Sequence, residues 1–227
     1  EPFLARLKAL TTPEAAREAG TAMTRVWSLP PRASLPTKMS VVAIGRQKAW
    51  LVDLPVPRPQ GNEVVVKLHA SPICGSNMGS FQADGERVND GHEGAGEVVA
   101  VAHSTLLKVG DRVALAPLNA CGRCPSCRRG DVIFCGQRPA VHGNFAQFTR
   151  VADVMCTPIP PELDYARASL MGCGLGPAYE ALTRLAVVPG ETVVVSGLGP
   201  VGLGATALAV WRGCRVIAFD PKPDRRQ

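Results

Sequence analysis

The chain has 227 residues, of which 46% are hydrophobic, so it is long enough to bury one good core and part of a second. Its formal net charge of +6 comes from 25 Lys and Arg residues scattered along the sequence, which favours a solvated surface over a nucleic-acid interface. No apolar run approaches the roughly 20 residues that a bilayer-spanning helix needs. We therefore expect a cytoplasmic protein that binds neither membranes nor nucleic acids.

Residues 1–38 carry a weak helical pattern that Pro13 interrupts, followed by a proline-rich stretch. The acidic residues Glu1, Glu14 and Glu18 fit a transit peptide poorly. We interpret this segment as an extension of unknown role outside the main fold.

From Val41 onwards the pattern changes to short runs of high β propensity, separated by turn residues. The runs are VVAI, AWLVDL, EVVVKLHA, GEVVAVA, DRVALA and FAQFTRV. A helical pattern follows between Pro161 and Leu185. Its candidate packing positions are Tyr165, Ala168, Ala178 and Leu182. The sequence therefore predicts a mainly β unit that leads into helical structure.

The segment from Glu191 to Asp220 predicts a buried strand, a glycine turn, an apolar helix and a second strand. GxGxxG alone is a weak signal, but here it follows an apolar strand and opens an apolar helix. That arrangement lets the backbone approach a pyrophosphate at a helix N-terminus. The predicted cofactor-binding residues are Gly197, Gly199, Pro200, Val201 and Gly202. We expect the segment to begin a Rossmann domain.

Asp220 ends the second predicted strand, about 20 residues after the glycines. A carboxylate at that position accepts hydrogen bonds from the adenosine ribose and would repel a 2′-phosphate. The sequence therefore favours NAD over NADP as the cofactor.

Four of the eight cysteines lie in one short segment, CGRCPSCRRGDVIFC. Cys121, Cys124 and Cys127 are spaced three apart, and Cys135 follows after a turn. Four thiolates can close a tetrahedral zinc shell with no open position, which defines a structural site. An iron–sulfur cluster and a CxxC redox pair are the alternatives. Zinc is favoured, because no proline follows the last cysteine as in bacterial ferredoxins and four thiols exceed what a redox pair needs.

From about Met39 to its end, the sequence resembles the medium-chain dehydrogenase/reductase family, and within it the zinc alcohol dehydrogenases. The motifs that carry the resemblance are the cysteine segment, ICGSN at 73–77, GHEGAGEVV at 91–99, VGDRVAL at 109–115, GCGLGPAYEAL at 172–182 and GLGPVGLGA at 197–205. The resemblance implies an α/β protein with a GroES-like β-barrel catalytic domain at 39–170, including a zinc lobe at 121–135. It also implies a connecting helix and the first βαβ unit of a Rossmann NAD-binding domain at 171–227.

The resemblance further implies a catalytic zinc held by Cys74, His92 and Cys173, with a fourth position left for water or substrate. Without the resemblance, each of the three has an ordinary alternative as a buried thiol or a hydrogen-bonded core histidine. Ser76 matches the family's hydroxyl that passes the alcohol proton towards solvent. Glu93, adjacent to His92, is a candidate outer-shell group or transient ligand, and the alternative is an ordinary salt-bridge partner.

Two positions depart from the family pattern. Asn77 stands where the family usually has an aspartate, and Gly79 stands where many members place a histidine at the end of the proton relay. Both changes concern the route by which the proton leaves. Cys173 as third ligand resembles the alcohol and formaldehyde dehydrogenase branches, whereas polyol and threonine dehydrogenases tend to use glutamate there.

The implied activity is reversible oxidation of a small alcohol to an aldehyde or ketone, with hydride transfer to NAD, in a protein that is a homo-oligomer when complete. The alternatives are a polyol- or threonine-type dehydrogenase of the same family and a zinc-stabilised binding protein without turnover. The 227 residues end after the first βαβ unit of the NAD-binding domain. We therefore expect the chain alone not to turn over alcohol at a normal rate, because hydride transfer depends on positioning the nicotinamide.

Overall fold

Eight short strands, rich in valine and other residues that suit a pleated surface, form the first part of the fold. The computed structural model describes residues 34–139 and 143–226. The strands are β1 (Lys38–Gly45), β2 (Lys48–Pro55), β3 (Glu63–Ala70), β4 (Arg87–Val88), β5 (Gly94–Val101), β6 (Arg112–Leu115), β7 (Phe148–Ala152) and β8 (Cys156–Pro158). They confirm the predicted mainly β unit and add β4 and β8, which the sequence pattern did not indicate.

Two antiparallel sheets organise these strands. β1 lies between β2 and β4, and a two-residue turn of positive φ at Arg46 and Gln47 joins β1 to β2. The second sheet has the order β7-β3-β5-β6-β8. Gly96 of β5 lies so close to β3 that an added Cβ would collide with the main-chain oxygen of Lys67. The start of β5 is thereby held firmly against β3.

The main hydrophobic core lies on the five-stranded sheet. Its buried side chains come from four of these strands and from the loops beside them: Val64, Val66, Val98, Leu107, Val113, Leu115, Ala120, Cys135, Val151, Ala152 and Met155. Cys121, Cys124 and Cys127 are partly buried and pack against this cluster. The core therefore supports the cysteine segment directly.

The helices in the described part of the chain are short. They are α1 (Asn77–Gln82), α2 (Pro125–Arg128), α3 (Tyr165–Ser169), α4 (Gly176–Arg184) and α5 (Pro200–Trp211). The predicted packing positions lie in α3 and α4, where Ala168, Ala178 and Leu182 are buried and Tyr165 is partly buried. The helical prediction is confirmed at these positions.

The helical segment predicted from Pro161 to Leu185 consists of three helical pieces between Tyr165 and Arg184 in the structure. A π-helical turn, Met171–Leu175, separates α3 from α4. The sequence GCGLG weakens a regular helix there, because glycine loses much conformational freedom on becoming helical. Gly172 also packs tightly, since an added Cβ would lie 2.6 Å from the main-chain oxygen of Leu115.

A parallel pair of strands, β9 (Thr192–Ser196) and β10 (Arg215–Phe219), is connected by α5. Pro200 begins α5, where its missing N–H removes no intrahelical hydrogen bond. Leu182, Ala209 and Cys214 form a small buried core that packs α4 against this unit. The unit confirms the predicted start of a doubly wound domain.

Residues Pro36–Gln227 form one compact unit. The predicted extension over 1–38 lies mostly outside the described residues, so its role stays a prediction. Within the described ranges, no helix combines the length and the apolar content needed to cross a bilayer.

Candidate metal centres and cofactor turn

The four clustered cysteines come together in one lobe, with their sulfur atoms all within 4.8 Å of one another. The Sγ atom of Cys127 lies 3.9 Å from that of Cys121 and 3.5 Å from that of Cys124. Cys135 lies 4.0 Å from Cys124. Zinc–sulfur bonds of about 2.3 Å at tetrahedral angles separate the sulfurs by about 3.8 Å. The lobe therefore fits one tetrahedral zinc ion.

Local backbone geometry assembles this lobe. Pro125 begins α2 directly after Cys124, and Gly130 adopts a positive φ of 86° that turns the chain back after the helix. The main-chain N–H of Cys124 donates to the sulfur of Cys121, at 3.3 Å. The N–H of Cys121 donates to the sulfur of Cys135, at 3.4 Å. Such N–H donors favour thiolates over thiols.

The protonation of the lobe is uneven. Main-chain N–H groups of Arg123 and Cys124 lower the pKa of the Cys121 thiol to about 6. Burial raises the pKa of the Cys127 thiol to about 12, and its neighbouring thiols add to the rise. Because zinc binds thiolates, filling the lobe releases the remaining protons.

A second cluster brings together the three residues of the predicted catalytic site and one neighbour. Ligand atoms of Cys74, His92, Glu93 and Cys173 all lie within 4.8 Å of one another. The Sγ atoms of Cys74 and Cys173 are 3.8 Å apart, the spacing of two thiolates on one tetrahedral ion. Two sulfurs and an imidazole are a donor set that suits zinc, so the cluster fits that ion.

The sheet explains why these distant residues meet. His92 and Glu93 directly precede β5, and Gly94 at the start of β5 pairs with Leu115 at the end of β6. Gly172 packs against that same Leu115, as described above, which places the π-helical turn and its Cys173 beside His92. Cys74 lies in the loop between β3 and α1, and β3 is the other neighbour of β5.

Glu93 is buried at the edge of this cluster, with Oε1 lying 4.0 Å from His92 Nε2. Burial raises the pKa of its carboxyl, while His92 and hydrogen bonds with the two thiols lower it. Burial also raises the pKa of the Cys173 thiol to about 12, with Cys74 adding to the rise. A metal entering this cluster therefore displaces protons as well.

Ser76 lies outside the metal-ligand cluster. It precedes α1 with an exposed side chain that makes no capping hydrogen bond to the helix. Its predicted role as a proton carrier stays a prediction. Gly79, the second departure from the family pattern, lies within α1, and a Cβ added there would meet no described atom of another part of the chain within 4 Å.

Asn77 is a site residue whose contacts the sequence did not reveal. It is 4% exposed, and its side chain connects the Cys74 loop to the loop before His92. Ser71 makes a second connection, because its hydroxyl donates to the main-chain oxygen of Glu93 at 2.7 Å. One indication of this role was available in the sequence: position 77 is an asparagine, whereas the family that the sequence resembles usually has an aspartate there.

Three glycines shape the cofactor turn, each in a different way. Gly197 has a positive φ of 90°, and a Cβ added to Gly202 would collide with the Gly197 main-chain oxygen. At Gly199, the one described atom within 4 Å of an added Cβ is a side-chain nitrogen of Arg225, at 3.8 Å. Gly202 therefore packs α5 against the turn, whereas Gly199 leaves an open face at the helix N-terminus.

The Asp220 carboxylate holds the same turn. It accepts hydrogen bonds from the main-chain N–H groups of Leu198, at 2.7 Å, and Lys222, at 2.8 Å. Arg225 lies 3.5 Å away. These two N–H donors, followed by Arg225, lower the pKa of the carboxyl. Asp220 thus has a structural role that the sequence did not predict, and its role towards the ribose stays a prediction.

Pro200 and Val201, which complete the predicted cofactor set, form the first turn of α5. The side chain of Val201 is exposed. Both residues therefore lie at the open N-terminal end of the helix, next to Gly199.

Comparison with known proteins agrees with this arrangement. Residues 60–161 match the family described as the alcohol dehydrogenase GroES-like domain. The chain is 36% identical over 208 residues to sorbitol dehydrogenase of Bacillus subtilis (strain 168). The matched region covers 85% of this chain and 58% of that protein. The chain is 32% identical over 211 residues to the uncharacterized zinc-type alcohol dehydrogenase-like protein YphC of Escherichia coli (strain K12), covering 84% and 60%.

Among solved structures, alcohol dehydrogenase TADH from Thermus sp. ATN1 has a TM-score of 0.74 and 32% sequence identity. The match covers 82% of this chain and 59% of that chain. The chain thus spans 58–60% of the length of these proteins.

Proposed function

Because the chain belongs to the zinc alcohol dehydrogenases of the medium-chain dehydrogenase/reductase family, we propose that it serves reversible oxidation of an alcohol to an aldehyde or ketone, with hydride transfer to NAD. The observation that carries the proposal is the convergence of Cys74, His92 and Cys173 beside Glu93. Three ligands with a fourth position free are the pattern of a catalytic zinc site, and the four-cysteine lobe has the closed pattern of a structural one.

The proposed chemistry assigns each residue a task. Cys74, Cys173 and the imidazole of His92 would hold the zinc, which when bound supplies a Lewis acid that polarises the alcohol oxygen. Glu93, buried beside His92, would orient the ligand set. Ser76, which is exposed next to Cys74, would accept the alcohol proton at its hydroxyl and pass it to solvent.

The cofactor side of the proposal is NAD. The open N-terminal end of α5 presents main-chain N–H groups to a pyrophosphate, and Gly199 leaves room for its approach. Asp220 would accept hydrogen bonds from the ribose hydroxyls, and its negative charge disfavours a 2′-phosphate. None of the eight cysteines is paired in a disulfide, and six of them are assigned to zinc, which supports the proposed cytoplasmic location. We also propose that the complete protein forms homo-oligomers.

A polyol is the second candidate class of substrate. It is supported by the relative named sorbitol dehydrogenase, which is 36% identical to this chain. Cys173 as the third ligand favours a simple alcohol, because the polyol branch tends to use glutamate at that position. Rates with primary alcohols, secondary alcohols and sorbitol would decide between the two classes.

Elemental analysis of zinc tests the proposal directly. We expect two zinc ions per chain in the parent and one in each of the variants Cys74→Ala and Cys121→Ala. The complete gene product should also reduce NAD in the presence of an alcohol, and Cys74→Ala should abolish that reaction. One zinc per chain in the parent, with the Cys74 cluster empty, would instead support a zinc-stabilised binding protein without turnover.

A further inference from the structure

The amide of Asn77 connects two loops that are separate in the sequence. Its Oδ1 accepts a hydrogen bond from the main-chain N–H of Cys74, at 3.0 Å. Its Nδ2 donates to the main-chain oxygen of Asp90, at 2.8 Å, and to the Asp90 carboxylate, at 3.1 Å. One side chain therefore links the backbone of the first metal ligand to the loop that leads into His92.

The direction of these hydrogen bonds requires a donor at position 77, which an amide supplies and an ionised aspartate does not. Nδ2 faces two oxygen acceptors of Asp90, so the group at that position must donate. An aspartate at position 77 could still accept from the Cys74 N–H, but its second oxygen would face those two acceptors. Because Asn77 is 4% exposed, water reaches its side of the contact poorly and would relieve little of the repulsion. Asn77 and Asp90 thus form a matched donor–acceptor pair.

A second connection lies at the other end of the same loop. The Ser71 hydroxyl donates to the main-chain oxygen of Glu93, at 2.7 Å. Cys74 therefore lies between two connections, at Ser71 and at Asn77, and both lead to residues 90–93. The loop that carries one thiolate ligand is fixed at both ends to the segment that carries the imidazole ligand.

We propose that Asn77 and Asp90 form a positioning pair, in which the Asn77 amide fixes the Cys74 main chain relative to His92 and so sets the geometry of the zinc site. This inference rests on the proposed function, since it concerns the same site. Asn77 lies outside the group of metal-ligating side chains and acts through Cys74. Polar partners behind metal ligands typically contribute about 10- to 100-fold to metal affinity.

The experiment exchanges the two members of the pair and measures zinc release to a chromogenic chelator. Asn77→Asp should weaken zinc at the Cys74 cluster by about 10- to 100-fold. Asp90→Asn should weaken zinc less than Asn77→Asp does, because Asn77 loses the carboxylate acceptor but can still donate to the main-chain oxygen at position 90. The double variant Asn77→Asp/Asp90→Asn should recover part of the affinity, since the new amide can donate to the new carboxylate. The main-chain repulsion remains, so recovery should be incomplete.

The four-cysteine lobe is an internal control in each variant. Its zinc should be released as in the parent, which shows that a variant is folded and that the effect is local. Asn77→Ala adds no buried charge and should weaken the Cys74 cluster about tenfold, so it tests the proposal if Asn77→Asp does not fold. Visible spectra of the cobalt-substituted protein give a second readout, because they report the coordination geometry.

The outcomes separate this inference from the proposed function. Two zinc ions in the parent, with Asn77→Asp and Asn77→Ala both retaining parental affinity, would overturn the positioning pair and leave the proposed function intact. Equal losses in Asn77→Asp and in the double variant would also overturn the pair. A parent that binds zinc only in the four-cysteine lobe would overturn both proposals.

Discussion

The two cysteine-containing clusters use similar ligands but arise differently from the sequence. In the four-cysteine lobe, Cys121 and Cys135 are 14 residues apart, and one short loop supplies every ligand. In the second cluster, Cys74 and Cys173 are 99 residues apart, and three segments must meet. The first depends on local turns at Pro125 and Gly130. The second depends on the register of a sheet.

This difference separates the two sites energetically as well as in sequence. A closed tetrahedral site stabilises the loop that surrounds it, because metal binding is coupled to the folding of its ligands. The second cluster lies at the junction of β5, β6 and the π-helical turn, which are already held by hydrogen bonds and by glycine contacts. We therefore expect zinc to be structurally important in the lobe and functionally important in the cluster.

The largest effect should come from Cys121→Ser. The lobe would lose a thiolate ligand and its zinc, and the free energy of unfolding should fall by several kcal/mol, as is usual when a structural zinc site is lost. Denaturant unfolding with zinc analysis measures both changes. Cys156→Ser is the matched control, because Cys156 packs on the same core but outside the lobe. Equal stability of the parent with and without chelator would contradict the proposed structural role.

Cys74→Ser should break the second cluster and leave the first intact. We expect the zinc content to fall from two ions to one, while the free energy of unfolding changes much less than in Cys121→Ser. Turnover by the complete gene product should fall to background. Elemental analysis and denaturant unfolding of the same samples make the comparison. A loss of stability as large as that of Cys121→Ser would show that the two sites do not differ as proposed.

The contrast also explains how much could be predicted from the sequence. The lobe was predictable because four spaced cysteines in one segment have few other uses, and the turn residues between them are recognisable. The glycine turn was predictable for the same reason, since strand, glycines and helix follow one another directly. The short runs of high β propensity, separated by turn residues, correctly predicted the longer strands, and the fold class was confirmed.

What the sequence did not predict is non-local. Cys74, His92 and Cys173 were grouped only through a family resemblance, because no spacing rule relates residues on different strands. The hydrogen bonds of Asn77 to Asp90 depend on two loops that only the sheet brings together. The π-helical turn at Cys173 follows from packing of Gly172 against β6, a contact that helical periodicity cannot reveal.

The next smaller effects concern two glycines of the cofactor turn: Gly202 packs against the turn, whereas Gly199 faces open space. Gly202→Ala should destabilise the chain by about 1–3 kcal/mol, as overpacking does, because the new Cβ would collide with the Gly197 main-chain oxygen. Gly199→Ala should leave stability unchanged, since the space around Gly199 is open in the described structure, but it should weaken NAD binding by blocking the approach of the pyrophosphate.

Thermal unfolding and calorimetric titration with NAD, carried out on both variants, would distinguish the two effects. Similar stability of Gly199→Ala and Gly202→Ala would contradict the separate roles assigned to these glycines. Unchanged NAD affinity in Gly199→Ala would show that the pyrophosphate does not approach there.

The smallest effect should come from Asp220→Asn, and it should depend on pH. The folded chain lowers the pKa of Asp220 through the N–H groups of Leu198 and Lys222, followed by Arg225. A lowered pKa means that the ionised carboxylate stabilises the fold above the unfolded-state pKa of about 3.9. That contribution is lost as the pH falls through the lower, folded-state pKa.

The difference in melting temperature between parent and Asp220→Asn should therefore be constant near neutral pH and disappear in strong acid. Acid also protonates the zinc ligands, but this affects both proteins equally and cancels in the difference. Asp224→Asn, which removes an exposed carboxylate from the same segment, is the control for the loss of one negative charge. A difference that persists unchanged into strong acid would mean that the charge of Asp220 does not support the turn. No difference at neutral pH would instead mean that the hydrogen bond from the Leu198 N–H, which an asparagine oxygen can also accept, is sufficient.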